Sequence, residues 1–233
     1  MAKHKIKSKE EDPITIIIAA AGAGRRMKSY GPKSLLTIKG KTILSRQLEE
    51  IRTEFPTANI VLVCGFEADK VMDRACGDII TLENENYQDT NITRSVSIAL
   101  RAINTSRVLI MCGDLVFSKG TLKHVDCKVS SILANKNKHK SSEVGCVINQ
   151  DKNIENMMYD LDLKWAQVIY LQDRALQIFK KLVFDRSNKK LFLFEIINKL
   201  VDSGCKIKCV ENNSIQIVDV DVSRDIIIAE SIV

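Results

Sequence analysis

Aromatic side chains are sparse in this sequence, at 5% of 233 residues. Basic surfaces that bind nucleic acid interleave cations with stacking rings. A net charge of +6 with so few rings therefore points to no nucleic-acid partner. Histidine is rarer still: His4, His124 and His139 are the only three, all distant in sequence from the motifs below. There is no Gly-x-Ser-x-Gly elbow and no Cys–His pattern, so covalent acyl or protease chemistry has no support. No apolar run reaches membrane-spanning length, and the N-terminus has no signal-peptide core, so no membrane insertion is expected. The seven cysteines lack zinc-ligand spacing. Even Cys205 and Cys209, four apart, do not read as a redox pair. Reduced thiols in a cytoplasmic protein are the expectation. Internal repeats and low-complexity tracts are missing as well. So are the P-loop pattern and the dinucleotide fingerprint, since Met27 occupies the place of the latter's third glycine.

What remains is an ordinary globular balance, 45% apolar and 27% charged, in a chain long enough for one large domain. Residues 1–13 are polar and carry Lys3, Lys5, Lys7 and Lys9, and they read as a disordered basic tail. Residues 14–233 read as a single domain. Its halves differ. Up to about residue 128, apolar strands alternate with amphipathic helices: strands at 15–20, 59–64, 78–82 and 108–112, helices at 44–55, 67–75 and 92–103. Leu44, Leu48, Ile51 and Phe55 mark one helical face, which Pro56 ends. Such alternation implies an α/β fold with a parallel sheet and helices on both faces. From about 129 to 212, strands at 130–134, 143–148, 154–159 and 165–171, separated by turn-rich gaps, read as a small antiparallel insertion. Helices at 174–184 and 192–203 follow. Late strands follow at 207–210 and 215–220, and the second, with a helix from Ser223, completes a C-terminal piece of about 213–233.

Three segments could carry chemistry. The first joins the strand at 15–20 to Gly22 and Gly24, then to Arg25, Arg26, Lys28 and Lys33. A strand end, a glycine turn and clustered cations suit a polyphosphate. The second is Asp114, after the strand at 108–112, where a carboxylate at the mouth of a parallel-sheet crevice could hold a hard divalent cation or simply form a turn. The third is Asp219-Val-Asp221, whose carboxylates share a face if the strand runs through both. Asp221 or Ser223 could equally cap the last helix. Between them lies Asn84-x-x-Tyr87-x-x-Thr90-Asn91-Ile92-x-x-Ser95. Side-chain amides there suit base recognition, and Thr90 or Asn91 also suits a helix N-cap. Trp165, Tyr159 and Tyr170 could line a cation–π pocket or belong to the core. Glu195 and Asn198, three apart on a helix, could touch substrate or form a surface pair.

The combined pattern of Ala20, Ala21, Gly22, Gly24, Arg26, Met27, Pro32 and Lys33 resembles the signature of nucleotidyltransferases that activate sugar phosphates and other small phosphates. The Asn91 segment resembles their phosphocholine cytidylyltransferase branch. The resemblance implies a mostly parallel, Rossmann-like sheet of the nucleotide-diphospho-sugar transferase type. It implies transfer from a nucleoside triphosphate, CTP favoured over UTP or GTP, to a phosphocholine-like acceptor or a sugar 1-phosphate, releasing pyrophosphate. It further implies that Arg26 and Lys33 are catalytic. Ala20, Ala21, Gly22, Ala23, Gly24, Arg25, Asn91 and Ser95 would bind nucleotide. Asp114 and Asp221 would bind Mg²⁺, with Asp219 the next candidate and Asp225 a helix-start residue. Two other readings stay open: a nucleotide-sugar-dependent glycosyltransferase using Asp219-Val-Asp221, and an inactive nucleotide-binding module.

Overall fold

A computed structural model of the chain describes residues 12–22, 24, 31–75, 77–136 and 143–233. The elements are β1 (Thr15–Ala20), β2 (Thr37–Ile38), β3 (Lys41–Thr42), α1 (Ile43–Glu54), β4 (Asn59–Cys64), α2 (Ala68–Met72) and β5 (Ile79–Glu83). After them come α3 (Ile92–Ala102), β6 (Arg107–Cys112), β7 (Leu115–Phe117), β8 (Ser131–Asn135), β9 (Val144–Ile148), β10 (Ile154–Tyr159) and β11 (Lys164–Gln172). The chain continues through α4 (Asp173–Phe184), α5 (Leu193–Asp202), β12 (Lys208–Glu211), β13 (Ile217–Asp219) and α6 (Ser223–Ile232). The basic tail up to residue 11 and most of the 136–142 gap lie outside the described residues.

One nine-stranded sheet organises the domain, in the order β10-β9-β11-β6-β1-β4-β5, with β8 branching from β11 and β12 pairing with β8. Strands β6, β1, β4 and β5 run parallel. β11 pairs antiparallel with β6, β8 and β9, and β9 pairs antiparallel with β10. The antiparallel strands thus extend the parallel sheet itself. β12 returns after two helices and lies parallel to β8.

β1 is β-branched and buried on both faces, as a central parallel strand must be. Its alternation divides the core. Ile17 packs with Val61, Ile110, Phe179 and Ile196 on the side of α3, α4 and α5. Ile16 and Ile18 pack with Leu44, Leu48 and Ile51 of α1 on the other. Caps fix the helix starts: the Thr42 hydroxyl accepts from the Ser45 N–H (3.1 Å), and Asn91 Oδ1 accepts from the Ile92 N–H (2.8 Å).

Because β1, β4 and β6 are parallel, their carboxyl ends open on one edge, where ligands bind in such sheets. Ala20, Gly65 and Gly113 follow those ends in close contact. A Cβ on Gly113 would lie 2.6 Å from the Ala20 Cβ, and one on Gly65 would lie 2.6 Å from the Ala21 carbonyl oxygen. These two positions need glycine for the close approach of neighbouring backbone.

Candidate active site

Asp114 leaves β6 at this edge, in a turn braced from below. Gln47, buried on α1, donates its side-chain amide to the carbonyls of Cys112 and Leu115, both at 2.9 Å. Immediately afterwards β7 pairs antiparallel with β13, matching Leu115 with Asp219. One step further, the Val220 N–H donates to the Asp114 carbonyl at 3.1 Å. This short ladder, joining segments about a hundred residues apart, sets Asp219 and Asp221 beside Asp114.

The β13 strand ends at Asp219. Strand alternation therefore does not explain how Asp221 reaches the site, which corrects that part of the sequence reading. Asp221 sits in the turn into α6. Its N–H and that of Val222 donate to the fully buried Asp225 carboxylate, at 2.8 and 2.9 Å. Asp225 is thus the helix-start residue expected, and it fixes the Asp221 turn.

Ligand oxygens of Asp114, Asp219 and Asp221 lie within 4.8 Å of one another. Lys33 points its ammonium among them, donating to Asp114 Oδ2 (3.0 Å) and Asp221 Oδ1 (2.5 Å). Burial opposes the charge on Lys33, but the Asp114 and Asp221 carboxylates outweigh it and raise the pKa above its ordinary value. Asp219 behaves in the opposite sense. Burial, then the charges of Asp114 and Asp221, push its carboxyl up to about 7. Its Oδ2 accepts from the Gln167 side-chain amide at 2.9 Å.

Gln167 was not singled out by sequence. It lies where β11 carries extra residues between its Trp165–Ala134 and Ile169–Ile132 pairs with β8. Its φ of 55° is left-handed, a strained value for a non-glycine residue. The bulge turns its side chain toward Asp219. Nothing in Ala166-Gln167-Val168 signals such a bulge.

Gly22, Gly24, Lys33, Ser34, Gly113 and Asp114 share one small pocket. Gly24 has a φ of 51°, and a Cβ there would meet the Lys33 Cγ at 3.2 Å. The lysine stem therefore lies along the glycine turn. Beside it opens a cleft of about 500 Å³, lined by Glu143, Tyr159, Lys164, Trp165, Gln167 and Phe192 together with Asp219 and Asp221. Trp165 is nearly buried, and its Nε1–H donates to the Val168 carbonyl across the bulge (3.1 Å). Tyr170 is fully buried core.

The structure thus gathers Ala20, Gly22, Gly24, Lys33, Asp114 and Asp221 at one edge, with Ala21 adjoining Gly22. Ala23, Arg25 and Arg26 lie outside the described residues. Asn91 and Ser95 line neither pocket. The Asn91 amide also reaches the Lys190 carbonyl (3.4 Å), and Ser95 is buried and accepts from Asn84 (3.2 Å). Glu195 accepts from the Phe192 N–H (2.7 Å), and Asn198 brackets Met157 through both its N–H and its carbonyl (2.8 Å each). Both are therefore structural.

Three carboxylates from two strand ends and a turn form a hard oxygen donor set of the kind a divalent cation uses. The Lys33 ammonium already marks that space as one a cation can occupy. No helix among the described residues is long and apolar enough to cross a membrane.

Residues 16–161, more than half of the chain, match the family described as MobA-like NTP transferase domain. The bifunctional protein GlmU of Sulfurovum sp. (strain NBC37-1) is 27% identical over 213 residues, covering 82% of this chain and 47% of that protein. GlmU of Francisella tularensis subsp. novicida (strain U112) is 33% identical over 102 residues, covering 44% of this chain and 22% of that protein. The chain spans about half the length, or less, of these curated relatives. Among solved structures, CTP:phosphocholine cytidylyltransferase from Streptococcus pneumoniae (LicC) is similar with a TM-score of 0.79 at 15% identity, over 94% of this chain and 99% of that one. The inositol-1-phosphate CTP transferase from T. maritima gives 0.74 at 16% identity, over 91% and 90%. The fold is accordingly the mostly parallel α/β arrangement of nucleotide-diphospho-sugar transferases, and the chain belongs to the family of MobA-like NTP transferase domains.

Proposed function

We propose that this protein is a Mg²⁺-dependent cytidylyltransferase that joins CTP to a phosphocholine-like acceptor and releases pyrophosphate. The observation that carries the reading is the meeting of the Lys33 ammonium with Asp114, Asp219 and Asp221 between a glycine turn and a roomy cleft.

The acceptor phosphate brings its own nucleophile. With a second pKa of about 6, it is largely dianionic at neutral pH, so the attacking oxygen needs no general base. The obstacle is bringing two anions together while charge builds on the leaving pyrophosphate. The backbone of Gly22, Ala23 and Gly24, with Arg25 and Arg26, holds the triphosphate. Lys33 reaches the α-phosphate or the incoming phosphate. Ala20 and Ala21 floor the turn, and on the base side Ser95 supports Asn84 by a hydrogen bond while Asn91 caps the start of α3. Asp114 and Asp221 would hold Mg²⁺, with Asp219 as a third oxygen donor; when bound, it supplies positive charge to the phosphate oxygens and fixes in-line geometry.

The acceptor cleft supports the choline-like reading. Tyr159 and Phe192 are about half exposed on its rim, Trp165 lies deeper and Glu143 contributes a carboxylate. Aromatic faces with acidic neighbours suit a quaternary ammonium. Lys164 lines the same cleft and suits the acceptor's phosphate. The six described cysteines are free thiols, in keeping with a cytoplasmic enzyme.

The test is a panel: CTP, UTP, GTP, ATP and TTP, each with phosphocholine and with several sugar 1-phosphates, read by pyrophosphate release. CTP with phosphocholine should give the highest kcat/KM. A sugar 1-phosphate as best acceptor would overturn the choline assignment. No release from any pair would overturn the enzymatic reading.

A further inference from the structure

We propose that Lys33 is the resident counter-cation of the three-carboxylate site: it keeps a free divalent cation out and yields the site only to one arriving with the triphosphate. This rests on the nucleotidyltransferase reading of the same site. It goes further in assigning the form in which metal enters and the group that controls entry.

Three carboxylates with ligand atoms within 4.8 Å repel one another strongly where water is limited. The side chains of Lys33, Asp114 and Asp221 are only 14%, 25% and 32% exposed, so solvent screens them incompletely. Without a cation, Asp114, Asp221 and whatever fraction of Asp219 is ionised would hold uncompensated like charge in one place. Lys33 supplies the missing charge, at 3.0 Å from Asp114 and 2.5 Å from Asp221. Those are the two carboxylates assigned to the metal, so ammonium and metal compete for the same oxygens.

The exchange has a mechanical route. Lys33 opens a short 3-10 turn, Lys33–Leu35, directly after Pro32, and its carbonyl accepts from the Leu36 N–H at 3.0 Å. Its stem runs along Gly24 in the pocket that also contains Gly22 and Asp114. A polyphosphate on the glycine turn would present anionic oxygens beside that stem. The lysine head, a compact charge on four rotatable methylenes, can then move from carboxylate to phosphate without backbone motion. The carboxylates it leaves are open to the metal carried by the triphosphate. A free metal, lacking the phosphate that draws the lysine away, meets an occupied site.

The experiment measures Mn²⁺ binding to the full chain without nucleotide, by the electron paramagnetic resonance signal of free Mn²⁺. Wild type should bind weakly. Lys33→Met should bind at least about tenfold more tightly, because a charge in direct contact with the ligands has been removed. Adding Asp219→Asn to Lys33→Met should abolish most of that gain. Equal or weaker Mn²⁺ binding by Lys33→Met would overturn the proposal. Should Lys33→Met fold poorly, wild type still decides the matter by the ¹⁵N resonance of the Lys33 ammonium, assigned by its loss in Lys33→Arg. It should shift with inorganic pyrophosphate and hold still with Mg²⁺ alone. A shift with Mg²⁺ alone would overturn the proposal. Metal affinity is read without turnover, so an inactive substrate panel would refute the reaction and leave this result standing, and the reverse holds equally.

Discussion

Replacing Asp219 with Asn should stabilise the metal-free protein at alkaline pH and do little in acid. Burial, then the neighbouring Asp114 and Asp221 charges, raise this carboxyl from 3.8 to about 7, while the Gln167 amide and Lys33 pull it the other way. Its folded pKa therefore lies above its unfolded one. Between those two values the native state keeps a proton that the unfolded chain has lost, so stability falls as pH rises through the window. A shift of roughly three units at about 1.4 kcal/mol each makes a penalty of about 4 kcal/mol above the window. Asn carries no charge and its Oδ1 can still accept from Gln167, so the substitution should lose at most about 1 kcal/mol of hydrogen bonding. The net expectation is Asp219→Asn more stable than wild type by about 3 kcal/mol near pH 8, and close to equal near pH 4. Urea denaturation of both proteins in chelator, at the two pH values and constant ionic strength, measures this. A difference between the proteins that does not change with pH would refute the electrostatic reasoning. So would a less stable Asp219→Asn at the higher pH.

The remaining predictions concern the frame and the chemistry. Asp114→Asn and Lys33→Ala should each lower pyrophosphate release by about 10²–10³, the cost of removing one preorganised charge stabiliser, with far-UV circular dichroism unchanged. Gly113→Ala should cost about 1–3 kcal/mol in urea, because the added methyl meets Ala20 at 2.6 Å and the β1–β6 contact must spread. Asp225→Ala removes the shared acceptor of the Asp221 and Val222 N–H groups. It should cost about 1–3 kcal/mol and raise the Mg²⁺ concentration needed for half-maximal turnover, since the Asp221 turn loses its anchor.

Much of this arrangement was legible in the chain, for identifiable reasons. β1, α1 and α3 follow local rules: an unbroken β-branched run, apolar residues at spacings of three and four, and Thr42 or Asn91 at the caps. The position of Asp114 at a strand end needed only the end of an apolar run. What stayed hidden depends on distant partners. β7, of three residues, is too short for any period to show, and the strand read at 215–220 gave no sign of its partner, yet the pairing of β7 with β13 brings the carboxylates together. The expectation that Asp219 and Asp221 lie together was sound, but its basis in strand alternation was not, because the strand stops between them. The parallel pairing of β12 with β8 comes from a return across two helices, which no local pattern encodes. Gln47 and Gln167 read as ordinary polar residues in sequence. Only burial against a turn and a bulge in β11 give them their roles.

The most direct measurement is a crystal structure of the protein grown with Mn²⁺ and CTP, with data collected for anomalous scattering. The account predicts one strong peak between Asp114 and Asp221, touching triphosphate oxygens, with the Lys33 ammonium moved onto a phosphate. A peak away from these carboxylates, or a triphosphate bound far from Gly22 and Gly24, would contradict it.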